Sequence, residues 1–276
     1  MTTNDNSQPT PAVLAALDFD GTLAVPGTTD ISAVVRDTVT KVSRGGHYVV
    51  LASGRSLVGV VSAARALGLR EGWAVASNGA VTARLDPLAR DGYYLHEVRT
   101  FDPGPVVRRA RVGFPGARVA TEVVGRGYRV THVFAARELS GEQMVCDVAT
   151  AVDRRTTRLI LSAPGIGVLA STLSATGVTV LASGSDWLDV TAQGLSKATA
   201  LENVRDQIGV RPEDTIAVGD GLNDLEMLAW AARGVAMGNA PLWVQEAADE
   251  VTGTLEEDGA ATVLRSLLSA PVPAGR

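Results

Sequence analysis

Short runs of apolar residues, each followed by a polar turn, recur along this chain and limit what it can fold into. Residues 12–17 are all apolar and lead directly to Asp18. Residues 48–52 and 74–76 follow the same pattern. Runs without polar alternation are typical of strands that are buried on both faces, as in parallel sheets covered by helices.

Helical spacing of apolar residues fills the intervals between these runs. Apolar side chains recur at positions 31, 34, 35, 39 and 42, and the pattern ends at Gly45 and Gly46. A second helix is predicted over 57–67. This alternation predicts an α/β fold, a Rossmann-like parallel sheet with helices on both faces. Ligands of such sheets bind beyond the carboxyl ends of the strands.

The pattern changes between about residues 94 and 185. Segments 117–124 and 128–134 alternate polar and apolar residues, which is typical of half-buried strands in an open antiparallel sheet. Helices near 106–112 and 166–175 are expected to cover one face of it. From Trp187 onwards the first pattern returns, with helices at 196–208, 222–232, 241–248 and 259–268.

The sequence therefore predicts a core domain whose two halves are separated by an inserted domain. We expect the core to comprise 12–93 and 186–270, and an α+β cap domain to occupy 94–185. The polar segment 1–11 and the segment 271–276 are predicted to be disordered tails.

Composition limits the cellular compartment and the classes of partner that we expect for the protein. The net charge is −5, which argues against nucleic acid as a partner. Cys146 is the one cysteine of the chain, so no intrachain disulfide forms and a reducing compartment fits. No signal-like start or membrane-length apolar run is present, so we predict a cytoplasmic protein without membrane partners. The sequence does not indicate the oligomeric state.

Asp18 and Asp20 place two carboxylates at the end of a buried strand. Burying unpaired carboxylates is costly, and Mg²⁺ is a natural partner because it prefers carboxylate and phosphate oxygens. A carboxylate can also attack phosphorus to form an aspartyl-phosphate. The alternative is a turn stabilised by aspartate side chains, and these two residues alone do not decide between the two interpretations.

Asp220 and Asp224 add two more carboxylates at positions i and i+4, where a helix is predicted to begin. One helical turn brings both to the same side, together with Asn223. A helix cap assisted by the helix dipole explains one of these acids but not both. Combined with Asp18, the pattern favours a site for a metal ion and a phosphate.

Lys197 and the segment Ser53-Gly54-Arg55 complete the set. The helix dipole disfavours a cation at the start of a helix, so Lys197 has another reason to lie there, although a solvated surface lysine is the commoner case. Ser53 offers a hydroxyl, Gly54 a backbone N–H and Arg55 a guanidinium at a strand end, which suits phosphate. An ordinary N-capped helix is the alternative. Phosphoryl transfer needs little beyond such positioning and charge neutralisation.

In their order along the chain, these motifs resemble those of the haloacid dehalogenase superfamily. The motifs are Asp18-Phe19-Asp20-Gly21-Thr22, Ser53, Lys197 and Gly219-Asp220-Gly221-Leu222-Asn223-Asp224. The segments Ser77-Asn78-Gly79-Ala80 and Val235–Ala240 are similar to those of its Cof-type sugar-phosphate phosphatases. That subfamily carries an α/β cap between its second and third motifs, so the resemblance also accounts for the insertion.

The resemblance implies a Mg²⁺-dependent phosphatase that acts on a small phosphorylated metabolite through an aspartyl-phosphate. Asp18 is then the nucleophile and a Mg²⁺ ligand. Asp20 is the general acid and base, and its backbone carbonyl binds Mg²⁺. Asp220 binds Mg²⁺ directly, and Asp224 binds it or orients its waters. The phosphate and substrate ligands implied are Ser53, Gly54, Arg55, Lys197 and Asn223.

Two other functions remain open at the level of sequence. A phosphomutase or phosphotransferase uses the same nucleophile but passes the phosphoryl group to a sugar hydroxyl. A regulatory protein keeps the fold and binds phosphate without turnover, although the complete set of acids argues against it. The predicted cap is rich in arginine, and we expect most of its arginines to form a solvated face: Arg108, Arg109, Arg111, Arg126, Arg129, Arg154, Arg155 and Arg158.

Overall fold

The computed structural model describes residues 11–268, and these form two β-sheets with their helices. Apart from Pro11, the tails predicted at 1–11 and 271–276 lie outside the described residues. In chain order the strands are β1 (Leu14–Leu17), β2 (Tyr48–Ala52), β3 (Gly72–Ala76), β4 (Val81–Leu85), β5 (Tyr93–Val98), β6 (Arg118–Val123), β7 (Gly127–Val130), β8 (Glu142–Val145), β9 (Leu159–Ser162), β10 (Val178–Ala182), β11 (Trp187–Ala192), β12 (Thr215–Gly219), β13 (Arg233–Ala236) and β14 (Glu250–Val251).

The helices alternate with these strands. They are α1 (Ala33–Arg44), α2 (Leu57–Ala66), α3 (Gly104–Gly113), α4 (Val148–Ala151), α5 (Ala170–Ser174), α6 (Lys197–Ile208), α7 (Leu225–Trp230), α8 (Leu242–Gln245) and α9 (Gly259–Leu268). In the part of the chain that the structure describes, none of them combines the length and apolar character needed to cross a membrane.

The larger sheet has the strand order β14-β13-β12-β1-β2-β3-β4-β5. Its strands from β14 to β3 pair in parallel, which confirms the predicted fold class. The hairpin β4–β5 continues the sheet in antiparallel fashion, a feature that the sequence analysis missed. This edge lies beyond the strands that carry the motifs, so it does not alter where they converge.

Both faces of the larger sheet are buried, as the uniformly apolar runs predicted. In β1, Ala15 and Leu17 pack in one core with α1, α2 and α9. Leu14 and Ala16 point to the opposite face and pack in a second core with α6 and α7. Because successive side chains of a strand alternate between faces, an all-apolar strand needs helices on both sides.

Helix α6 begins where the sequence places it. The hydroxyl of Ser196 accepts a hydrogen bond from the backbone N–H of Thr199, and the hydroxyl of Thr199 accepts one from the backbone N–H of Ser196. Gly209 ends the helix with a left-handed backbone, at a φ of 70°. Ser196 is therefore the N-cap of α6, and it fixes Lys197 as the first residue of the helix.

Two predicted helices are shorter in the structure. The segment predicted at 222–232 begins as a 3₁₀ turn over Leu222–Asp224 and becomes helical in α7. The carboxylate of Asp224 accepts hydrogen bonds from the backbone N–H groups of Asp220 and Gly221, which closes this turn. The segment predicted at 241–248 narrows to α8, of four residues.

The smaller sheet has the order β10-β11-β9-β6-β7-β8. All of its pairs are antiparallel except β7–β8, which is parallel. Helices α3 to α5 lie over one face, where Val106, Leu161 and Leu173 are buried together. This matches the half-buried pattern that the alternation of polar and apolar residues indicated.

The chain crosses between the two sheets later than the boundaries predicted at residues 94 and 185. Strand β5 belongs to the larger sheet, and β11 lies between β10 and β9 of the smaller one. The reason is packing, since Leu188 and Val190 complete the apolar core of the smaller sheet. The segment that forms the smaller sheet therefore extends to Ala192.

A buried carboxylate joins the two sheets. Glu122 of β6 accepts hydrogen bonds from the Leu57 backbone N–H at 3.2 Å and from the hydroxyls of Ser77 at 2.5 Å and Thr157 at 2.7 Å. Two of these donors belong to the larger sheet and its helices. Ser77 itself has a left-handed backbone, so Glu122 stabilises a turn that few residues adopt readily.

This carboxylate makes stability depend on pH in a defined direction. Burial raises the pKa of Glu122 above its ordinary value near 4.5, although its hydrogen bonds oppose the shift. A carboxyl with a raised pKa in the folded protein costs stability once the pH exceeds the pKa of the unfolded chain. We expect Glu122→Gln to gain stability relative to wild type as the pH rises from about 4.5 towards neutrality, measured as the free energy of unfolding in urea.

Glu142→Gln is the matched control. Glu142 pairs with Arg126 on the surface of the same sheet, and that hydrogen bond lowers the pKa of Glu142. Its substitution should change the pH dependence weakly and in the opposite sense. Parallel stability curves for wild type and Glu122→Gln would contradict the interpretation of Glu122.

Candidate active site

The polar residues that follow β1, β2 and β12 meet at the carboxyl edge of the larger sheet. Asp18, Ser53 and Asp220 line one cavity of about 470 Å³, which the smaller sheet covers. Parallel pairing of these strands places their carboxyl ends side by side. The convergence that the sequence predicted therefore follows from strand direction alone.

Lys197 holds two of the acids. Its ammonium donates to Asp18 Oδ1 at 2.5 Å and to Asp224 Oδ1 at 2.6 Å. The side chain has 0% exposure, which excludes the solvated surface lysine considered from the sequence. Burial opposes the charge of Lys197, but the charges of Asp18 and Asp224 outweigh it and raise the pKa of Lys197.

Asp224 uses both of its carboxylate oxygens within the protein. Oδ1 accepts from Lys197, and Oδ2 accepts from the backbone N–H groups of Asp220 and Gly221 at 3.0 and 2.9 Å. Asp224 therefore shapes the loop that presents Asp220 as well as contributing its charge.

Three carboxylates lie close enough to share one cation. Oxygen atoms of Asp18, Asp220 and Asp224 lie within 4.8 Å of one another. Burial, and next the charge of Asp224, raise the pKa of Asp18 well above its usual value and that of Asp220 to about 6. One lysine does not balance three acids, so the donor set fits a divalent cation, and oxygen ligands of this kind suit Mg²⁺.

Asp20 lies in a different environment from these acids. Arg55 donates from Nε to Asp20 Oδ2 at 2.7 Å and from a terminal nitrogen to Oδ1 at 2.6 Å, and the Gly27 backbone N–H also reaches Oδ1 at 2.8 Å. Of the two oxygens, Oδ2 carries the single donor, so it is the one with capacity left for a substrate. Arg55 also lines the cavity, but its guanidinium is engaged mainly by Asp20.

The remaining predicted phosphate ligands lie together beside Asp18. Ser53 and Gly54 line the cavity with Asn223, whose amide donates to Asn78 Oδ1 at 3.0 Å. A Cβ at position 54 would come within 3.1 Å of that same Asn78 oxygen, so glycine permits the close approach of the two loops.

Asn78 is a site residue that the sequence analysis named in the segment Ser77-Asn78-Gly79-Ala80 but did not include among the ligands. It lines the cavity and has a φ of 52°, in the left-handed region. Asparagine is among the few residues that tolerate this backbone. An asparagine two residues after a buried strand was the signal available from the sequence.

Residues of the smaller sheet form the polar side of the cavity opposite Asp18, here called the roof, which the motifs did not indicate. Arg158 and Asp189 form a buried ion pair there, and Trp187 and Arg137 line the same cavity. Arg158 is therefore an exception to the expectation that most arginines of this region form a solvated face. An acid between Leu188 and Val190, on an otherwise apolar strand, was the available signal.

Comparison with known proteins agrees with this geometry. The sequence model of the haloacid dehalogenase-like hydrolases matches residues 15–95 and 167–264. Over 78 residues the chain is 46% identical to 5-amino-6-(5-phospho-D-ribitylamino)uracil phosphatase YcsE of Bacillus subtilis, a match that covers 28% of this chain and 31% of YcsE. It is 27% identical to the phosphatase YwpJ of Bacillus subtilis, over 92% of this chain and 99% of YwpJ.

Solved structures share the whole architecture. BT1666 from Bacteroides thetaiotaomicron, a phosphatase of the haloalkanoate enzyme superfamily, superposes with a TM-score of 0.78 and 26% identity. The alignment covers 94% of this chain and 96% of BT1666. The likeness therefore extends over both sheets, whereas the match to YcsE spans about a third of that relative.

The ion pairs of Lys197 give a prediction for stability. Lys197→Met leaves Asp18 and Asp224 buried without their cation, so we expect it to lower the free energy of unfolding by about 3 kcal/mol at pH 7 in EDTA. The loss should shrink as the pH falls, because Asp18 can then take up a proton. Urea unfolding at several pH values measures both effects.

Lys41→Met is the control for this measurement. Lys41 pairs with Asp37 on an exposed helix face, where such pairs contribute little. A loss for Lys197→Met no larger than that of Lys41→Met would show that the buried pairs do not stabilise the fold.

Proposed function

The chain belongs to the haloacid dehalogenase-like hydrolases, and we propose that it is a phosphatase that hydrolyses a small phosphorylated metabolite, such as a sugar phosphate, with Asp18 as nucleophile. The observation that carries this proposal is the placement of Asp18, fixed by Lys197 in a covered cavity that also contains Asp20. YcsE and YwpJ are both phosphatases, and this similarity supports the reaction class.

We propose Mg²⁺ as the cofactor. Asp18 and Asp220 are the carboxylates we assign as ligands, with Asp224 as a ligand or as an acceptor for metal-bound water, and with the backbone carbonyl of Asp20. When bound, the ion supplies positive charge that offsets the repulsion between the acids and a phosphate group. The excess of carboxylates over cations at this edge of the sheet supports the assignment.

The proposed first step transfers the phosphoryl group to the protein. One oxygen of Asp18 is held by Lys197, and we assign the other to attack on phosphorus. The bond between phosphorus and the leaving oxygen breaks, and Asp20 donates a proton to that oxygen. The product is an aspartyl-phosphate at Asp18 and a free alcohol.

The second step returns the protein to its starting state. Asp20, now ionised, accepts a proton from a water molecule that attacks phosphorus, and the bond between phosphorus and Asp18 breaks to release inorganic phosphate. Throughout, we assign the phosphate oxygens to the Ser53 hydroxyl, the Gly54 N–H, Asn223 and the Lys197 ammonium. These donors act by orientation and by charge neutralisation.

We further propose that each sheet with its helices is a domain, and that the smaller one acts as a cap that excludes bulk water from the cavity. Two features support this division: the contact between the sheets at the buried carboxylate of Glu122, and the roof of the cavity formed by Arg158 and Asp189.

We propose a cytoplasmic location, for which the single cysteine of the chain, which cannot form an intrachain disulfide, is the supporting observation.

Phosphate release from para-nitrophenyl phosphate tests the nucleophile. With Mg²⁺ present, we expect Asp18→Asn to lower kcat by roughly 10³-fold or more, because the amide is a poor nucleophile. EDTA should abolish wild-type turnover. Asp37→Asn, on an exposed helix face, is the matched control and should retain full activity. Turnover that survives in Asp18→Asn would remove the proposed nucleophile.

Asp20→Asn separates the two proposed steps. The nitrophenolate leaving group needs little protonation, so the first step should proceed while the attack of water slows. We expect a burst of about one nitrophenolate per protein followed by slow turnover, which is the kinetic sign of an accumulating covalent intermediate. Rapid-quench measurement records the burst. Linear product formation at an unchanged rate would exclude Asp20 as the base of the second step.

A further inference from the structure

Arg158 and Asp189 form an ion pair in the roof of the cavity, opposite the edge that carries Asp18. Arg158 precedes β9 and Asp189 lies in β11, and both line the cavity with Asp20. Their side chains are 11% and 10% exposed. The pair is thus largely removed from solvent, but it borders the space that a leaving group would fill.

The geometry of the pair is specific. Arg158 Nε donates to both carboxylate oxygens of Asp189, at 2.8 and 2.9 Å, and a terminal nitrogen donates to Asp189 Oδ2. The other terminal nitrogen donates to the hydroxyl of buried Tyr128 at 2.8 Å. Burial opposes the charge of Arg158, but Asp189 outweighs it and raises the pKa of Arg158, so the guanidinium stays charged.

Hydrogen-bonding capacity remains on both partners. A guanidinium has five N–H groups and a carboxylate about four acceptor positions. Among the described residues, three N–H groups of Arg158 and three acceptor positions of Asp189 are used. Two donors and one acceptor are therefore left in a wall of the cavity.

The charges of the two partners cancel, which decides the class of group that this wall can bind. A hydroxyl can accept from Arg158 and donate to Asp189, and it brings no charge. A second anion would meet the carboxylate of Asp189 as well as the guanidinium. Arg137 lines the cavity without an ion pair among residues 11–268, but it is exposed at the rim.

We propose that the Arg158–Asp189 pair is a specificity-determining subsite that binds hydroxyl groups of a neutral, polyhydroxylated leaving group, with Trp187 as an apolar flank. The inference rests on the proposed phosphatase function and concerns the same cavity. An apolar leaving group would strand the remaining donors and acceptor of the pair without partners, and sites built to bind a hydroxyl reject analogues that lack it.

Three six-carbon phosphate esters test the subsite. Sorbitol 6-phosphate carries hydroxyls along its chain, n-hexyl phosphate carries none, and 6-phosphogluconate ends in a carboxylate. We expect wild type to prefer sorbitol 6-phosphate to n-hexyl phosphate by roughly 30-fold in kcat/KM, as two added hydrogen bonds would give. A preference for n-hexyl phosphate or for 6-phosphogluconate would overturn the proposal.

The double variant Arg158→Met/Asp189→Leu removes the pair without leaving a buried charge, a replacement that folds tolerate. We expect kcat/KM for sorbitol 6-phosphate to fall relative to kcat/KM for n-hexyl phosphate and for para-nitrophenyl phosphate, so that the preference for sorbitol 6-phosphate is lost. A purely structural pair would change all three rates together and leave the preference intact.

Asp189→Asn is a second, nearly isosteric variant. It leaves the charge of Arg158 beside the cavity without its carboxylate partner. The ratio of kcat/KM for 6-phosphogluconate to kcat/KM for sorbitol 6-phosphate should therefore rise by about 10-fold. Arg126→Met/Glu142→Leu removes an ion pair of the same sheet that is exposed and lies outside the cavity, and it should leave every ratio unchanged. An unchanged ratio in Asp189→Asn would overturn the assignment.

Binding separates failure of this subsite from failure of the proposed reaction. Calorimetry on Asp18→Asn with Mg²⁺ measures the Kd of the three esters without turnover, with and without the Arg158→Met/Asp189→Leu changes. If wild type hydrolyses none of the esters, the reaction is refuted while the binding preference still decides the subsite. Equal affinity for sorbitol 6-phosphate and n-hexyl phosphate would refute the subsite itself.

Discussion

The ammonium of Lys197 between Asp18 and Asp224 is the interaction on which the architecture of this edge depends. It joins α6 to Asp18, which lies 179 positions away in the sequence, and to Asp224, which lies 27 positions away. The helix dipole disfavours a cation at the first position of α6, yet two ion pairs with short, charge-assisted hydrogen bonds outweigh that cost. Without this cation, burying Asp18 and Asp224 side by side would leave two charges unpaired, which is costly.

The contact between the two sheets, here called the seam, also buries a carboxylate, that of Glu122, but does so without a cation. Glu122 is ionisable and buried, and its partners are hydroxyl and backbone donors rather than a lysine. One of those donors, Ser77, precedes Asn78, which lines the cavity and accepts a hydrogen bond from Asn223. Another, Thr157, precedes Arg158 in the roof. The seam therefore couples the position of the roof to the turn that orients Asn78, and motion of one sheet relative to the other would disturb both.

The core of the site was predictable from the sequence because it depends on local rules. A buried strand that ends in a polar residue places that residue at the sheet edge, and this was sufficient for Asp18, Ser53 and Asp220. The pairing of Arg158 with Asp189 was not predictable, because it depends on which strands are neighbours in the smaller sheet. The alternation pattern shows that a strand is half buried but does not say which strand lies beside it. For the same reason, the sequence did not predict that β11 belongs to the smaller sheet.

The two ends of the cavity differ in charge, and this difference has a consequence for binding. At the sheet edge, acids exceed the buried cation, so an anion can be held there only with additional positive charge. In the roof, Arg158 and Asp189 cancel, and the wall offers hydrogen bonds without net charge. With the proposed Mg²⁺ bound, a phosphate ester would therefore gain electrostatic stabilisation in one orientation, with its phosphate at Asp18 and its neutral part under the roof. We therefore propose that the polarity of the cavity orients the substrate before any bond changes.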